Sequence, residues 1–213
     1  NLVFSLGENL GEPYAIVGTD GTRLTGGGEG GNIYRCRPDG SKLVFSAMNR
    51  LYVKDYPGGE QHLVTTSANG EGEFMPAWSP DGRSIVYATW TTTGGHLKRV
   101  AASGGPPDTL TRSEGYYLDP AYTPDGAKLA CADKDLRLRI ADVASGKTID
   151  VDKGGYGDVT HYRWSPDSRW LAYVKQTAST RLAAIWVYSI EDGKPQQLTS
   201  GNAADSEPVF DPL

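Results

Sequence analysis

The amino-acid sequence predicts an all-β protein of the β-propeller class, and two observations carry this prediction. Glycine and proline are abundant, with 27 and 13 residues in a chain of 213. Such a density of turn-forming residues is typical of many short strands joined by tight turns. In addition, a segment of about 40 residues recurs along the chain, and a four-stranded repeat of that length is typical of a propeller blade.

A turn that contains proline and aspartate anchors the repeat. Proline presets φ at the first turn position, aspartate bonds back to the backbone, and glycine accepts the positive φ of a tight hairpin. The turn prolines stand at positions 38, 80, 124, 166 and 212, so their spacings are 42, 44, 42 and 46 residues. The four clear copies are Arg37-Pro38-Asp39-Gly40, Ser79-Pro80-Asp81-Gly82, Thr123-Pro124-Asp125-Gly126 and Ser165-Pro166-Asp167-Ser168.

Strand patterns surround each turn. An apolar triplet follows every turn, and a second apolar run and a further turn complete each unit. Residues of this kind fit pleated, half-buried strands, so each unit is predicted to form four antiparallel strands. One blade cannot bury both of its faces, and the units must therefore stack against one another. The triplets are Leu43-Val44-Phe45, Ile85-Val86-Tyr87, Leu129-Ala130-Cys131 and Leu171-Ala172-Tyr173.

These units resemble the Ser-Pro-Asp-Gly type of β-propeller repeat. That repeat occurs in TolB-like periplasmic proteins, in the propeller domains of tricorn-type proteases and in the propellers of some other peptidases and hydrolases. The resemblance covers nearly the whole chain and is clearest from Trp164 to Thr199. It implies a propeller with a recognition or gating role and a periplasmic or secreted location. Because the motif builds turns and cores, it implies no particular ligand.

The two ends of the chain predict how the propeller closes. Residues 2–5 match the second strand at 43–46, and residues 208–212 match the innermost strand at 76–80. Pairing the two ends in one blade would leave no exposed sheet edge. The alternative is a fragment of a larger ring with six or seven blades. Closure predicts a monomeric single domain, 1–213, with five four-stranded blades at approximately 1–31 plus 206–213, 32–73, 74–117, 118–159 and 160–205.

Charge and cysteine content exclude several classes of function. The formal net charge is −5. Because nucleic-acid-binding proteins present basic surfaces, this charge disfavours a nucleic-acid partner. The chain has no apolar run of about 18 residues, so no membrane-spanning helix is predicted. Cys36 and Cys131 fall in apolar runs of blades that would not adjoin in a five-bladed ring. Both are therefore predicted to be buried and unpaired.

Candidate ligand-binding residues precede the innermost strands, where the loops between blades would converge on one face. Carboxylates gathered there would focus negative potential, and exposed tyrosines would add a stacking surface for a sugar or peptide. The sequence predicts no cofactor, other than a cation that oxygen ligands could hold in the channel. The alternative is a set of solvated loop residues. The candidates are Glu73, Asp119, Asp158, His161, Asp205, Glu207, Tyr117 and Tyr156.

No nucleophile-elbow or zinc-protease motif is present in the sequence. The first prediction is therefore a noncatalytic propeller that binds a peptide, a protein or a small ligand at the acidic channel face. A five-bladed glycoside-active enzyme with central carboxylates is the first alternative, with Asp119, Asp158 and Glu207 as candidates. A structural, engineered or truncated propeller unit without a ligand is the second. The repeat-phased tryptophans Trp78, Trp164, Trp170 and Trp186 are predicted to lie in the core.

Overall fold

The computed structural model describes residues 4–6, 15–17, 34–56, 58–65, 70–155, 157 and 159–211. The chain divides into two compact units, Asn1–Thr109 and Leu110–Leu213. Within the described residues every regular element is a β-strand. The structure thus confirms the all-β prediction, and these residues include no helix that could cross a membrane.

The described residues of the first unit form ten strands in three antiparallel sheets. In each of its two four-stranded sheets, consecutive strands along the chain are neighbours, which is the arrangement expected for a blade. The two-stranded sheet pairs β1 (Phe4–Leu6) with β2 (Ala15–Val17). The others contain β3 (Tyr34–Cys36), β4 (Lys42–Ala47), β5 (Arg50–Asp55) and β6 (Gln61–Leu63), followed by β7 (Gly72–Trp78), β8 (Ser84–Trp90), β9 (Leu97–Ala101) and β10 (Asp108–Thr109).

In the second unit, the residues that the structure describes form eight strands in two four-stranded antiparallel sheets with the same order. The first strand of each sheet runs into a proline turn, as the repeat predicts. The strands are β11 (Tyr117–Tyr122), β12 (Lys128–Asp133), β13 (Arg137–Asp142) and β14 (Thr148–Lys153), followed by β15 (Thr160–Trp164), β16 (Trp170–Gln176), β17 (Ala183–Ser189) and β18 (Lys194–Gln197).

The proline turns form as their sequence predicts. In the turn between β7 and β8, the Ser79 hydroxyl donates to Asp81 Oδ1 at 2.5 Å, and the backbone N–H of Arg83 donates to the same oxygen at 3.0 Å. Gly82 has a φ of 65°, which glycine adopts without a steric cost. The bond from Ser79 is the first cause of a lowered pKa for the Asp81 carboxyl.

Neighbouring sheets within each unit pack through apolar side chains of their middle strands. In the first unit, Val44 and Leu51 of one sheet pack with Ile85 and Tyr87 of the next. In the second unit, Leu138 and Tyr173 belong to one such cluster. This packing buries the faces that a single blade would leave in water, which explains why the sequence repeats the apolar triplet.

Two predictions about burial are wrong in part. Trp170 is 38% exposed. It begins β16, and the corresponding first residues of β4, β8 and β12 are Lys42, Ser84 and Lys128, so this position faces water. Both cysteines are free, as predicted, but Cys36 is exposed whereas Cys131 is buried. Burial raises the pKa of the Cys131 thiol to about 12.

The C-terminal segment 205–211 has features of a first strand, although it belongs to no strand among the described residues. The Asp205 N–H donates to Ala183 O at 3.0 Å, as the Glu73 N–H donates to Asn49 O at 3.1 Å where β7 begins. The described part of the chain thus forms four four-stranded sheets. The fifth blade, and its closure by residues 1–31 and 206–213, remain predictions because residues 1–3, 7–14, 18–33 and 212–213 lie outside the described part.

Candidate functional site

The first strands of three sheets share one irregularity. The pairing register shifts between Phe74 and Ala77, between Leu118 and Ala121, and between Thr160 and Arg163. Such β-bulges bend a strand and re-aim its side chains. Inside these intervals, the left-handed residues are Met75, Asp119 and His161, with φ of 51°, 44° and 50°.

Each of these three residues stands five positions before a turn proline, and Glu207 has the same spacing to Pro212. Glu207 has a φ of 53°, so it adopts the same conformation as Met75, Asp119 and His161. We call Asp119, His161 and Glu207, which all belong to the second unit, the bulge row. The repeat therefore places three polar side chains at one structural position.

The backbone conformation of the bulge row has an energetic cost. Aspartate and histidine tolerate positive φ better than most residues, but glutamate does not share this tolerance. A residue held in this region costs roughly 1–3 kcal/mol, and such residues cluster at functional sites. None of the three positions carries glycine, which would avoid the cost. The chain therefore carries three polar side chains at positions where glycine would be accommodated without this cost.

His161 is the centre of a polar cluster. Its Nε2 lies 3.1 Å from Glu207 Oε1, and its Nδ1 lies 3.0 Å from the Thr160 hydroxyl. Arg163 NH2 lies 3.9 Å from Glu207 Oε2. The side chains of His161, Arg163 and Glu207 are 45%, 53% and 65% exposed. A ligand in solution can therefore reach all three.

Tyr162 joins the strand of His161 to that of Asp119. It is buried, and its hydroxyl donates to Leu118 O at 3.1 Å and to Asp119 O. Trp164, two residues further on, donates its indole N–H to Ala121 O at 3.0 Å. These bonds join β11 to β15, so Asp119 and His161 lie at equivalent positions on the first strands of two adjacent sheets.

Glu73 and Tyr117 occupy places that differ from the predicted ligand face. Glu73 is 2% exposed, and its Oε2 accepts from the Leu51 N–H at 3.1 Å and from the Thr65 hydroxyl. Tyr117 is 0% exposed, and its hydroxyl donates to Ser113 O at 2.9 Å. The prediction of an exposed Tyr117 is therefore wrong, because the residue begins β11 with its ring turned inward.

The remaining predicted residues divide into two groups. Asp205 lies in the same C-terminal segment as Glu207 and is partly exposed. Tyr156 and Asp158 lie outside the residues that the structure describes. In the described part of the chain, no group of three histidine, cysteine, aspartate or glutamate side chains could hold a metal ion.

Arg163 is a site residue that the loop pattern of the sequence did not predict. It stands three positions before Pro166, where the other units carry Arg35, Ala77, Ala121 and Val209. Its guanidinium makes the cluster mixed in charge, whereas the sequence predicted an acidic face. A comparison of this position between units would have found it, because the apolar residue of most units is here replaced by a cation. The cluster therefore offers both donors and acceptors to a polar ligand.

Comparisons with curated proteins place the chain among propeller-containing relatives. No family model matches it. It is 30% identical over 143 residues to dipeptidyl-peptidase 5 of Porphyromonas gingivalis, which covers 59% of this chain and 20% of that protein. It is 32% identical over 128 residues to tricorn protease homolog 1 of Streptomyces coelicolor, and this match covers 59% of this chain and 10% of that protein. It is 28% identical over 92 residues to Tol-Pal system protein TolB of Francisella tularensis subsp. holarctica, and this match covers 42% of this chain and 21% of that protein. The chain spans about a fifth or less of these relatives.

Solved structures show the same fold. TolB from Acinetobacter baumannii superposes with a TM-score of 0.67 at 19% identity, covering 91% of this chain and 50% of that one. An oligogalacturonate lyase in complex with manganese superposes with a TM-score of 0.71 at 19% sequence identity, covering 88% of this chain and 58% of that one. The tricorn protease superposes with a TM-score of 0.71 at 18% sequence identity, covering 95% of this chain and 21% of that one. These matches confirm a TolB-like, tricorn-type propeller fold. Since that fold carries proteins of different activities, it assigns no activity by itself.

Proposed function

We propose that this chain, which shares its fold with TolB-like and tricorn-type propellers, is a noncatalytic binding domain. It binds a peptide, a segment of a protein or a small polar ligand at the bulge row. The observation that carries the proposal is the shared left-handed conformation of Asp119, His161 and Glu207, whose polar side chains stand at one position of successive repeats.

The variation of this position among repeats supports a binding role. The same backbone conformation carries Met75 in the first unit and aspartate, histidine and glutamate in the second. A purely structural bulge would favour residues that adopt positive φ easily, such as glycine or asparagine. A constant backbone geometry with a changing side chain instead suits a scaffold that presents different groups to a ligand.

The surroundings of the bulge row also suit binding. Tyr162 and Trp164 tie the strand that carries His161 and Arg163 to the neighbouring sheet. Polar side chains on rigid strands lose little entropy when a ligand binds, which is the benefit of preorganisation. A periplasmic or secreted location is part of the proposal, and the resemblance to TolB-like proteins supports it.

Fluorescence anisotropy with labelled peptides tests the proposal. The probes are three fluorescein-labelled pools of random hexapeptides with basic, neutral and acidic composition. The test protein carries Asp119→Asn and His161→Gln in the bulge row together with Arg163→Gln beside it. We expect at least one pool to bind the unaltered chain and to bind this triple variant about tenfold more weakly, a difference of about 1.4 kcal/mol.

A matched control variant carries the same chemical changes on exposed residues of the first unit, namely Asp108→Asn, His62→Gln and Arg83→Gln. It should bind as the unaltered chain does. Equal binding of all pools by the triple variant and the control would overturn the assignment to the bulge row. If no pool binds the unaltered chain, the assignment of a peptide ligand fails.

A further inference from the structure

We infer that His161 and Arg163 form a binding site for a carboxylate and that Glu207 of the same chain occupies it as an internal ligand. The inference rests on the proposed function, because it names the ligand chemistry of the bulge row. It also changes the sign of the predicted selectivity. An acidic face would select a cation, whereas this pair of side chains selects an anion.

The position of the Glu207 carboxylate shows what the pair recognises. One oxygen, Oε1, lies 3.1 Å from Nε2 of His161, and the other, Oε2, lies 3.9 Å from NH2 of Arg163. The carboxylate thus lies between an imidazole and a guanidinium. Charge-assisted bonds of this kind are stronger than neutral ones, and the planar guanidinium fits a carboxylate particularly well.

Arg163 has hydrogen-bonding capacity that Glu207 does not use. Among the described residues, its guanidinium makes one hydrogen bond, from NH1 to Tyr162 O at 3.0 Å. The distance of 3.9 Å to Glu207 Oε2 is too long for a hydrogen bond. A guanidinium carries five N–H donors. A carboxylate from a ligand could therefore approach Arg163 more closely than Glu207 does.

Glu207 is held in a way that permits its displacement. Its side chain is 65% exposed, and exposed ion pairs contribute little to stability. It belongs to the segment 205–211, which is not part of any sheet among the described residues. A ligand carboxylate can compete for His161 and Arg163 while the sheet β15–β18 stays intact.

The other charged groups nearby limit what the site accepts. Asp119 stands at the equivalent position on β11, the first strand of the adjacent sheet, and Asp205 and Asp211 lie in the same segment as Glu207. These carboxyl groups would repel a ligand with several negative charges. The site therefore favours a ligand with one carboxylate beside neutral polar groups, such as the C-terminus of a polypeptide or a single uronic acid.

Titration of the protein with matched acid and neutral probes, followed by amide NMR, tests the inference. The probes are N-acetyl-trialanine and its C-terminal amide, and D-glucuronate and D-glucose. We expect an acid to bind at least about tenfold more tightly than its neutral counterpart. Binding of the trialanine acid alone identifies a peptide terminus, and binding of glucuronate alone identifies a uronate. If neither acid is preferred, the inference is overturned.

Two substitutions should change the affinity for the acid in opposite directions. Arg163→Gln should weaken it about tenfold, because the guanidinium is lost. Glu207→Gln should strengthen it severalfold, because the internal competitor loses its charge. Arg169→Gln is the matched control, since Arg169 is 70% exposed and pairs with Asp167 in a turn, and it should leave the affinity unchanged. A weaker affinity in the Glu207→Gln variant would contradict the inference.

The outcomes separate this inference from the proposed function. If the peptide pools lose affinity for the triple variant while acids and amides bind equally well, the bulge row is a binding site that does not recognise carboxylates. If the triple variant binds every pool as the control does, the proposed function fails. Thermal unfolding of each variant shows whether a loss of affinity has its origin in a loss of folding.

Discussion

The indole N–H of Trp164 donates a hydrogen bond of 3.0 Å to the carbonyl oxygen of Ala121, and this bond joins the first strands of two neighbouring sheets. In the first unit, Trp78 makes the same bond of 3.0 Å to Arg35. Both pairs are separated by 43 residues. One repeat of the sequence therefore corresponds to one step from sheet to sheet.

Replacement of Trp164 by phenylalanine should reveal the contribution of this bond. The variant keeps an aromatic ring but leaves the Ala121 carbonyl without its donor, so the free energy of unfolding should fall by about 1–2 kcal/mol. Trp170→Phe is the control, because Trp170 is exposed, and it should cost about 0.5 kcal/mol or less. Urea unfolding measures both values. A larger loss for Trp170→Phe than for Trp164→Phe would contradict this explanation.

A largely buried ion pair joins Asp152 of β14 to Lys175 of β16. Asp152 Oδ2 accepts from Lys175 Nζ at 2.6 Å and from the Tyr173 hydroxyl at 2.5 Å, and the two charged side chains are 13% and 14% exposed. Burial, with the bond to Asp152 as the second cause, raises the pKa of Tyr173. Asp152→Asn leaves the Lys175 charge without a buried partner and should cost about 3 kcal/mol.

The control for Asp152 is Asp150, which pairs with Arg139 at 2.8 Å but is 60% exposed. Asp150→Asn should cost about 1 kcal/mol or less, since exposed ion pairs are weak. The double variant Asp152→Asn with Lys175→Met should recover part of the loss, because no unpaired charge then remains buried. Chemical unfolding of the three variants checks this order, and equal costs for Asp150→Asn and Asp152→Asn would refute it.

The turn aspartates predict how stability depends on pH. The Ser165 hydroxyl, followed by Arg169, lowers the pKa of Asp167 to about 2. Because the folded pKa lies below the unfolded value of about 3.9, the stabilisation is present above that value and is lost as pH falls towards 2. Asp167→Asn should therefore show a smaller loss of unfolding free energy between about pH 4 and pH 2. Urea titrations at several pH values test this, with the exposed Asp192→Asn as the control.

The strand pattern was predictable because each tight turn depends on a few local residues. Pro80, Asp81 and Gly82 act within one hairpin, and the apolar triplet after them fills a buried strand. The orientation of residues near the ends of strands was not predictable in this way. Glu73 and Tyr117 stand beside loops in the sequence, yet β7 and β11 begin early enough to turn both side chains inward.

The site was only partly predictable for a related reason. The sequence selects His161 and Glu207 because they stand just before the predicted innermost strands, but their contact of 3.1 Å joins two left-handed residues that no glycine marks. Arg163 was missed because it lies within an innermost strand rather than in the loop before it. Neighbouring strands bring residues together whose sequence positions differ by a whole repeat, so one repeat alone does not reveal the cluster.

The left-handed conformation of Glu207 predicts that glycine is more stable than valine at position 207, whereas valine is more stable than glycine at position 209. Glu207→Gly and Glu207→Val both remove the carboxylate, but valine is strained at a φ of 53°, so the glycine variant should be more stable by about 1 kcal/mol or more. At Val209, which is not left-handed, Val209→Gly should lower stability by about 0.5–1 kcal/mol. Unfolding free energies that favour valine at both positions would contradict the left-handed conformation of Glu207.

The most direct test of a carboxylate site at the bulge row is the location of ligand-induced changes in the assigned amide NMR spectrum of the chain. When N-acetyl-trialanine or D-glucuronate is added, we expect shifts of the amides at 160–163 and 205–209, which carry His161, Arg163 and Glu207. With D-glucose or the trialanine amide, the same resonances should stay unshifted. Shifts confined to the exposed outer strands β6 and β10, or the same shifts with the neutral probes, would contradict a carboxylate site at the bulge row.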